Sequence, residues 1–196
     1  PYGLADFAAL IEENYYYADR TDRIRVLENA GKHLLFLRPR RFGKSLLLSM
    51  LDNYYDLAKA DKFVKLFGHL KIGNDPTDRH NQYFIMRWDF SMVKSYGSVQ
   101  EVESALHDHI NGSIEVFAAR YAQYFNYTIG NSITNSIRSL QSVTAAVHKT
   151  GYKIYLLIDE YDNFANEIMS AQQQDYASLV HGEGIIKTLF KAVKAL

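Results

Sequence analysis

Short apolar runs along the chain mark three candidate strands, at residues 33–37, 82–90 and 152–160. The first run contains four successive apolar residues, which is typical of a strand buried on both faces of a parallel sheet. The third run is mostly aliphatic and stops abruptly at two acidic residues. These runs predict a sheet whose strands are largely buried.

Segments between and after the strands show the spacing of amphipathic helices. We expect helices at residues 99–124 and 132–150, a short helix ending at Gly31, and helical structure from residue 161 onward. A further helix follows residue 43, where apolar side chains recur at helical spacing: Leu46, Leu47, Met50, Leu51 and Tyr54. Strands that alternate with helices predict a single α/β domain over residues 1–196, with three layers and a mostly parallel sheet flanked by helices.

Composition narrows the class of protein. The chain has 22 acidic and 22 basic residues, so its net charge predicts no general attraction to nucleic acid or to membranes. It has no cysteine, which excludes disulfides and thiolate metal sites and is typical of a reducing cytoplasm. No apolar stretch approaches the roughly 20 residues that span a bilayer. We therefore expect a cytoplasmic protein that does not enter the membrane.

The loop after the first apolar run ends in Gly43-Lys44-Ser45, the tail of the phosphate-loop pattern G-x-x-x-x-G-K-[ST]. Such a loop works because backbone N–H groups converge on an anion at a helix N-terminus. Lysine then reaches the phosphates, and the serine hydroxyl binds Mg²⁺. The candidate nucleotide loop comprises Arg38, Pro39, Arg40, Arg41, Phe42, Gly43, Lys44, Ser45 and Leu46.

Position 38 departs from the pattern, which has its first glycine there. An arginine at this point needs a permissive backbone angle, and Pro39 favours extended geometry at Arg38. Three interpretations of the arginines at positions 38, 40 and 41 stay open. They supplement the phosphate clamp, they face solvent or pair with acids elsewhere, or they contact nucleic acid.

The third candidate strand supplies the second half of a nucleotide site. Asp159 ends the strand, where a Mg²⁺-binding aspartate is expected, and Glu160 follows where a general base could orient water. The alternative is that the two acids only mark the exit of the strand into solvent. The order of the two motifs on an alternating α/β pattern favours the nucleotide site.

The strings RPRRFGKSLLLSML and YLLIDEYDN resemble the AAA-ATPase-like family of anaerobic bacteria, and the opening of the chain is similar to the start of that family. The resemblance implies ATP and Mg²⁺ as cofactors, and an arginine at position 38 is normal in the family. It also implies roles for single residues: Lys44 on the phosphates, Ser45 and Asp159 on Mg²⁺, and Glu160 as the catalytic glutamate. Asp162 matches the family as well, without an assigned role.

Members of this family often carry a C-terminal PD-(D/E)XK nuclease domain, which does not occur within this sequence. The resemblance therefore implies ATP hydrolysis coupled to a partner or to such a domain, through which nucleic acid would be contacted. Two rivals stay open: an ATP-binding switch or scaffold with little hydrolysis, and a nucleic-acid-binding module that uses the arginine loop.

The family fold also implies a strand between the candidate strands at residues 33–37 and 152–160. The sequence contains no such strand, so we expect either a C-terminally incomplete domain or a strand supplied to this position by another chain. In that case the two strands would not pair directly, and residues 1–196 alone would hydrolyse ATP poorly.

Overall fold

The computed structural model describes residues 3–39, 41–125, 130, 132, 134–171 and 185–194. The chain divides into two compact units, Pro1–Ile85 and Met86–Leu196. The first unit contains helices α1 (Phe7–Glu12), α2 (Ile24–Ala30), α3 (Lys44–Tyr55) and α4 (Phe63–Phe67). Short 3-10 turns lie at Thr21–Arg23, Leu57–Lys62 and Lys71–Asn74.

Helix α3 is held firmly along its second half. Its residues from Ser49 to Tyr55 are all buried, whereas the residues of its first turn are half-buried. The hydroxyl of Ser49 accepts the backbone N–H of Phe7 at 2.9 Å, which attaches α1 to the middle of α3. The ring of Phe7 stacks on Phe67 of α4 at 5.0 Å, and Phe67 also contacts Tyr54 at 5.3 Å. The second half of helix α3 is therefore held by packing, and the half-buried first turn extends from that held part.

A polar network connects α3 to α2 and to the turn around residue 77. Glu28 of α2 accepts hydrogen bonds from the hydroxyls of Tyr55 and Thr77, at 3.0 and 2.8 Å. Thr77 is also joined to the hydroxyl of Tyr54, through its backbone N–H at 2.9 Å. Because these groups are largely buried, each needs its partner to offset the loss of water. The network fixes α2 and the turn around residue 77 against α3.

The second unit contains the larger helices and most of the sheet. Strand β1 (Tyr83–Asp89) enters this unit at Met86 and pairs in parallel with β2 (Lys153–Asp159) in a two-stranded sheet. The helices are α5 (Val99–Arg120), α6 (Ser136–His148), α7 (Tyr161–Ala171) and α8 (Ile185–Lys194). Helix α6 packs against α5, β2 and α8. The chain is thus a mixed α/β protein, as its pattern predicts.

Helix ends follow local capping chemistry. Helix α5 begins with a capping box, in which Ser98 and Glu101 each bond the backbone N–H of the other. Helix α6 begins four residues later than the pattern predicts, because the side chain of Asn135 accepts the N–H of Arg138 and sets the start there. Gly31 ends α2 as expected, with a φ of 127° that a side chain would strain.

The predicted strand at residues 33–37 is wrong for this structure. Residues 34–37 carry no strand hydrogen bonds, and Leu35 and Leu37 are 81% and 76% exposed. An apolar run becomes a strand when a neighbouring strand pairs with it, and within the described ranges none pairs with this segment. A strand lying between this segment and β2 therefore stays a prediction.

Among the described helices, none combines the length and the apolar character needed to cross a membrane.

Candidate functional site

The phosphate-loop candidate ends where α3 begins. Gly43 is the N-cap of α3 and has a left-handed backbone, with φ 76° and ψ 24°, which glycine adopts without steric cost. No side chain caps this helix end by a hydrogen bond, and its first turn carries no acidic residue. The N-terminus of a helix is the positive end of the helix dipole, and its first N–H groups can donate hydrogen bonds to an anion. Lys44 and Ser45 stand in that first turn with Leu46, and all three are half-buried.

A second left-handed residue precedes Gly43. Arg41 has a φ of 67°, a conformation that costs a residue with a Cβ about 1 kcal/mol or more. The turn is closed by the N–H of Phe42, which donates to the carbonyl of Pro39 at 3.4 Å. Among the described residues Arg38 is not left-handed, in keeping with the extended geometry that Pro39 favours there, whereas Arg41 is left-handed. Arginine has no preference for positive φ, so its residue type does not predict this backbone conformation.

The arginines of the loop have different surroundings. The guanidinium of Arg38 lies over the ring of Phe36, 4.9 Å from its centroid, in a cation–π contact. Arg41 is exposed. Arg40 lies outside the described residues. The part of each arginine in phosphate binding stays a prediction.

The acidic half of the candidate site lies at the end of β2. Asp159 is the last residue of the strand, and its Oδ1 accepts the backbone N–H of Glu160 at 3.0 Å. Glu160 is left-handed, with a φ of 55°, and its carbonyl accepts the N–H of Phe164 at 3.2 Å as α7 begins. Both acids are half-buried. The backbone of Glu160 is therefore held on both sides in a conformation that it would not adopt by itself.

Two neighbouring acids have simpler roles. Asp89 ends β1, and its Oδ1 accepts the N–H of Ser91 at 3.0 Å, which caps the 3-10 turn Phe90–Met92. Asp162 is exposed in the first turn of α7, where a carboxylate is stabilised by the helix dipole. The position of Asp162 in the first turn of α7 therefore gives it a structural explanation, which its match to a family pattern did not provide.

The residue types present suit Mg²⁺, although the part of the chain that the structure describes builds no metal cluster in advance. Among the described residues, no group of three or more His, Cys, Asp or Glu side chains converges to hold a metal. Mg²⁺ in nucleotide sites is held by one or two protein oxygens together with substrate phosphates and water, so a dedicated cage is not required. The hydroxyl of Ser45 and the carboxylate of Asp159 are hard oxygen ligands of the preferred kind.

Comparison with known proteins gives two findings. A family model described as "AAA-ATPase_like: Predicted AAA-ATPase" matches residues 1–196. A curated protein of Azotobacter chroococcum mcd 1, described as "Uncharacterized protein in vnfD 5'region", is 30% identical over 168 residues, or 83% of this chain. The match covers 28% of the length of that relative. No solved structure matches.

Proposed function

This chain belongs to the AAA-ATPase-like family, and from that premise we propose that it binds ATP at the loop of residues 38–46 and hydrolyses it with Mg²⁺. The proposed architecture is the three-layer P-loop fold with a mostly parallel sheet, of which β1 and β2 would be two strands. The family match supports nucleotide binding in general. The hydrolysis, the metal and the larger sheet belong to the proposal.

The N-terminus of α3 is the observation that carries the proposal. A 12-residue helix starts there with a left-handed glycine, without a side-chain cap and without an acid in its first turn. Ser, Thr, Asp and Asn side chains are the preferred caps for the first N–H groups of a helix, as at α1, α5 and α6, whereas α2 and α4 also lack such a cap. A phosphate group can take the place of that cap, and Lys44 at the first position adds a positive charge.

Each site residue has a separate task in the proposal. Lys44 binds the β- and γ-phosphates, and Ser45 and Asp159 supply oxygen ligands to Mg²⁺. The metal, when bound, would neutralise charge that develops on the phosphates. Glu160 accepts a proton from the attacking water, which is general-base catalysis.

Coupling to another activity is also a proposal. The chain spans 28% of the length of its Azotobacter relative, so the full activity of such a protein need not reside in this segment. We propose that ATP hydrolysis drives a partner or a nuclease domain, and that nucleic acid is bound there. A basic loop that binds nucleic acid directly is the competing interpretation, and Arg38 stays exposed although its guanidinium lies over the ring of Phe36.

A titration of Mg²⁺-ATP tests the proposal. Lys44→Ala should weaken ATP binding at least tenfold, because a charge-assisted hydrogen bond contributes about 1.5–3 kcal/mol. Lys62→Ala is the matched control, since Lys62 is an exposed lysine of the same compact unit. Equal ATP affinity of the two folded variants would end the phosphate-loop proposal. Salt-sensitive DNA binding that ATP does not affect would support the nucleic-acid module instead.

Hydrolysis separates the two remaining rivals. In a hydrolysis-competent version of the protein, an ATPase should show Mg²⁺-dependent turnover that Glu160→Gln slows. A switch or scaffold should bind ATP with the same dependence on Lys44 and show no turnover above that of Glu160→Gln.

A further inference from the structure

Three aromatic rings meet beside the acidic turn, one from each of three segments of the second unit. The ring of Tyr161 packs edge-on against Phe90 at 5.6 Å and against Phe190 at 5.0 Å, with interplanar angles of 82° and 76°. Phe90 follows β1, Tyr161 opens α7, and Phe190 lies on α8. We call these three residues the aromatic clamp. Edge-to-face contacts of this kind fix the relative orientation of rings as well as burying them.

Phe90 is the anchored member of the clamp. It is 2% exposed and also contacts Phe164 at 5.4 Å and His109 at 5.7 Å. The segment that follows Phe90 is tied to α7 a second time, because the hydroxyl of Ser95 donates to Glu167 at 2.5 Å. The loop after β1 is therefore bound to α7 at two points. Tyr161 packs against Phe90, the anchored residue of this loop.

Glu160, the residue before Tyr161, has a backbone that needs this support. A residue with a side chain stays left-handed when its surroundings fix it there, and such residues cluster at functional sites. Two hydrogen bonds hold the backbone of Glu160, one to Asp159 and one from Phe164. Packing of the adjacent ring adds a third constraint, because Tyr161 cannot turn without leaving both phenylalanines.

We propose that Tyr161 is a positioning residue for the ATPase reaction, which holds Glu160 in its left-handed conformation through the aromatic clamp. This inference rests on the proposed function, in which Glu160 acts as the general base. The ring of Tyr161, which makes the contacts with Phe90 and Phe190, carries the role. Tyr161→Phe should therefore behave as the parent protein, whereas Tyr161→Leu removes the edge-to-face contacts.

The kinetic test compares kcat with ATP affinity. Tyr161→Leu should lower the kcat of ATP hydrolysis about ten- to hundredfold, because small displacements of a catalytic group have effects of that size. Its ATP affinity should stay within about twofold of the parent, since the base contributes to the transition state and not to ground-state binding. Tyr121→Leu is the matched control, because Tyr121 is a buried tyrosine of the same unit that packs on Phe117 at 5.0 Å. This control should lower the melting temperature but leave kcat near that of the parent.

A second measurement needs no activity. The Cα and Cβ chemical shifts of Glu160 report its backbone conformation in the ATP-free protein. They should move away from left-handed values in Tyr161→Leu and stay in Tyr161→Phe and Tyr121→Leu. Either unchanged Glu160 shifts or a parent-like kcat in folded Tyr161→Leu would overturn the proposal, as would an equal loss of kcat in Tyr121→Leu.

The proposed function and the positioning role fail in distinguishable ways. If Glu160→Gln hydrolyses ATP at the parent rate, Glu160 is not the base and the positioning role is overturned with it. If Glu160→Gln is slow while Tyr161→Leu is as fast as the parent, the ATPase proposal survives and the clamp alone is wrong.

Discussion

The loop before α3 and the turn after β2 both contain a left-handed residue that is not glycine, but the two residues have different surroundings. Each contains a left-handed residue with a side chain, Arg41 in the loop and Glu160 in the turn. The loop is exposed, with Phe42 at 61%, whereas the turn is half-buried and is followed by the aromatic clamp. The loop offers N–H donors at a helix end, and the turn offers carboxylate acceptors at a strand end.

This difference suggests a division of work between the two regions. In the proposed function Glu160 is a catalytic base, which has to be held in place before the substrate arrives, and two hydrogen bonds fix its backbone. A phosphate-binding loop can take its final shape from the phosphate, because the ligand supplies the missing acceptor. We therefore expect mutations at the turn to act on turnover and on stability, and mutations at the loop to act on binding.

The largest expected effect is that of Glu160→Gln. Loss of a general base should slow ATP hydrolysis about 10²–10⁴-fold while ATP affinity is kept. Steady-state turnover and a binding titration of the same variant measure the two quantities. Glu103→Gln on α5 is the control, and it should hydrolyse ATP at the parent rate. Parent-like turnover of Glu160→Gln would reduce Glu160 to an acid at a strand end.

Truncation of one aromatic residue in each region should separate their stabilities. Phe90→Ala should lower the free energy of unfolding by about 3–5 kcal/mol, the usual cost of removing a buried phenylalanine ring. Phe42→Ala should change it by no more than about 0.5 kcal/mol, since most of that ring is exposed. Urea unfolding of the two variants gives the comparison. Similar losses would mean that the loop is packed as firmly as the turn.

The left-handed backbone of Glu160 predicts a gain in stability from glycine. Glu160→Gly should raise the free energy of unfolding by about 0.5–1 kcal/mol, because glycine adopts positive φ without steric cost. Glu103→Gly is the matched control in the second turn of α5, where it should lower the stability by about 1 kcal/mol. A loss of stability in both variants would show that Glu160 is not strained.

Acid should weaken the packing around Phe90, which contacts Tyr161 of the turn. His109 packs on Phe90, and its buried Nε2 has no hydrogen-bond partner among the described residues. Burial lowers the pKa of His109, against a smaller opposing effect of Asp89. The unfolded chain then binds more protons than the folded one, so stability falls as the pH drops through about 6.5. Urea unfolding between pH 5 and 8 should show this slope in the parent and lose it in His109→Phe, whereas exposed His148→Phe should keep it.

Much of the fold could be predicted from the sequence because local signals specify it. The apolar period of α3, the capping residues of α5 and α6, and Gly31 at the end of α2 each act within a few residues. Strands β1 and β2 lie within one or two residues of their predicted ends. Residues 33–37 were predicted wrongly because a strand depends on a partner, and the apolar pattern does not say which segment pairs with it.

The candidate site could be predicted in outline and not in its geometry. The types of Lys44, Ser45, Asp159 and Glu160 suggested their chemistry, whose test remains the mutations above. The left-handed backbones of Arg41 and Glu160 could not be predicted from the sequence, since neither residue type favours positive φ. The aromatic clamp joins positions 90, 161 and 190, which are far apart in the chain. Only the tertiary packing of the second unit brings its rings together.

Amide hydrogen exchange at the first turn of α3 is the most direct test of the central claim, that this helix end receives the phosphates of ATP. Addition of Mg²⁺-ATP should slow exchange at the backbone N–H groups of Lys44, Ser45 and Leu46. The start of α6, which the side chain of Asn135 already caps, should exchange at an unchanged rate. Unchanged exchange at the first turn of α3 under saturating ATP would contradict the account.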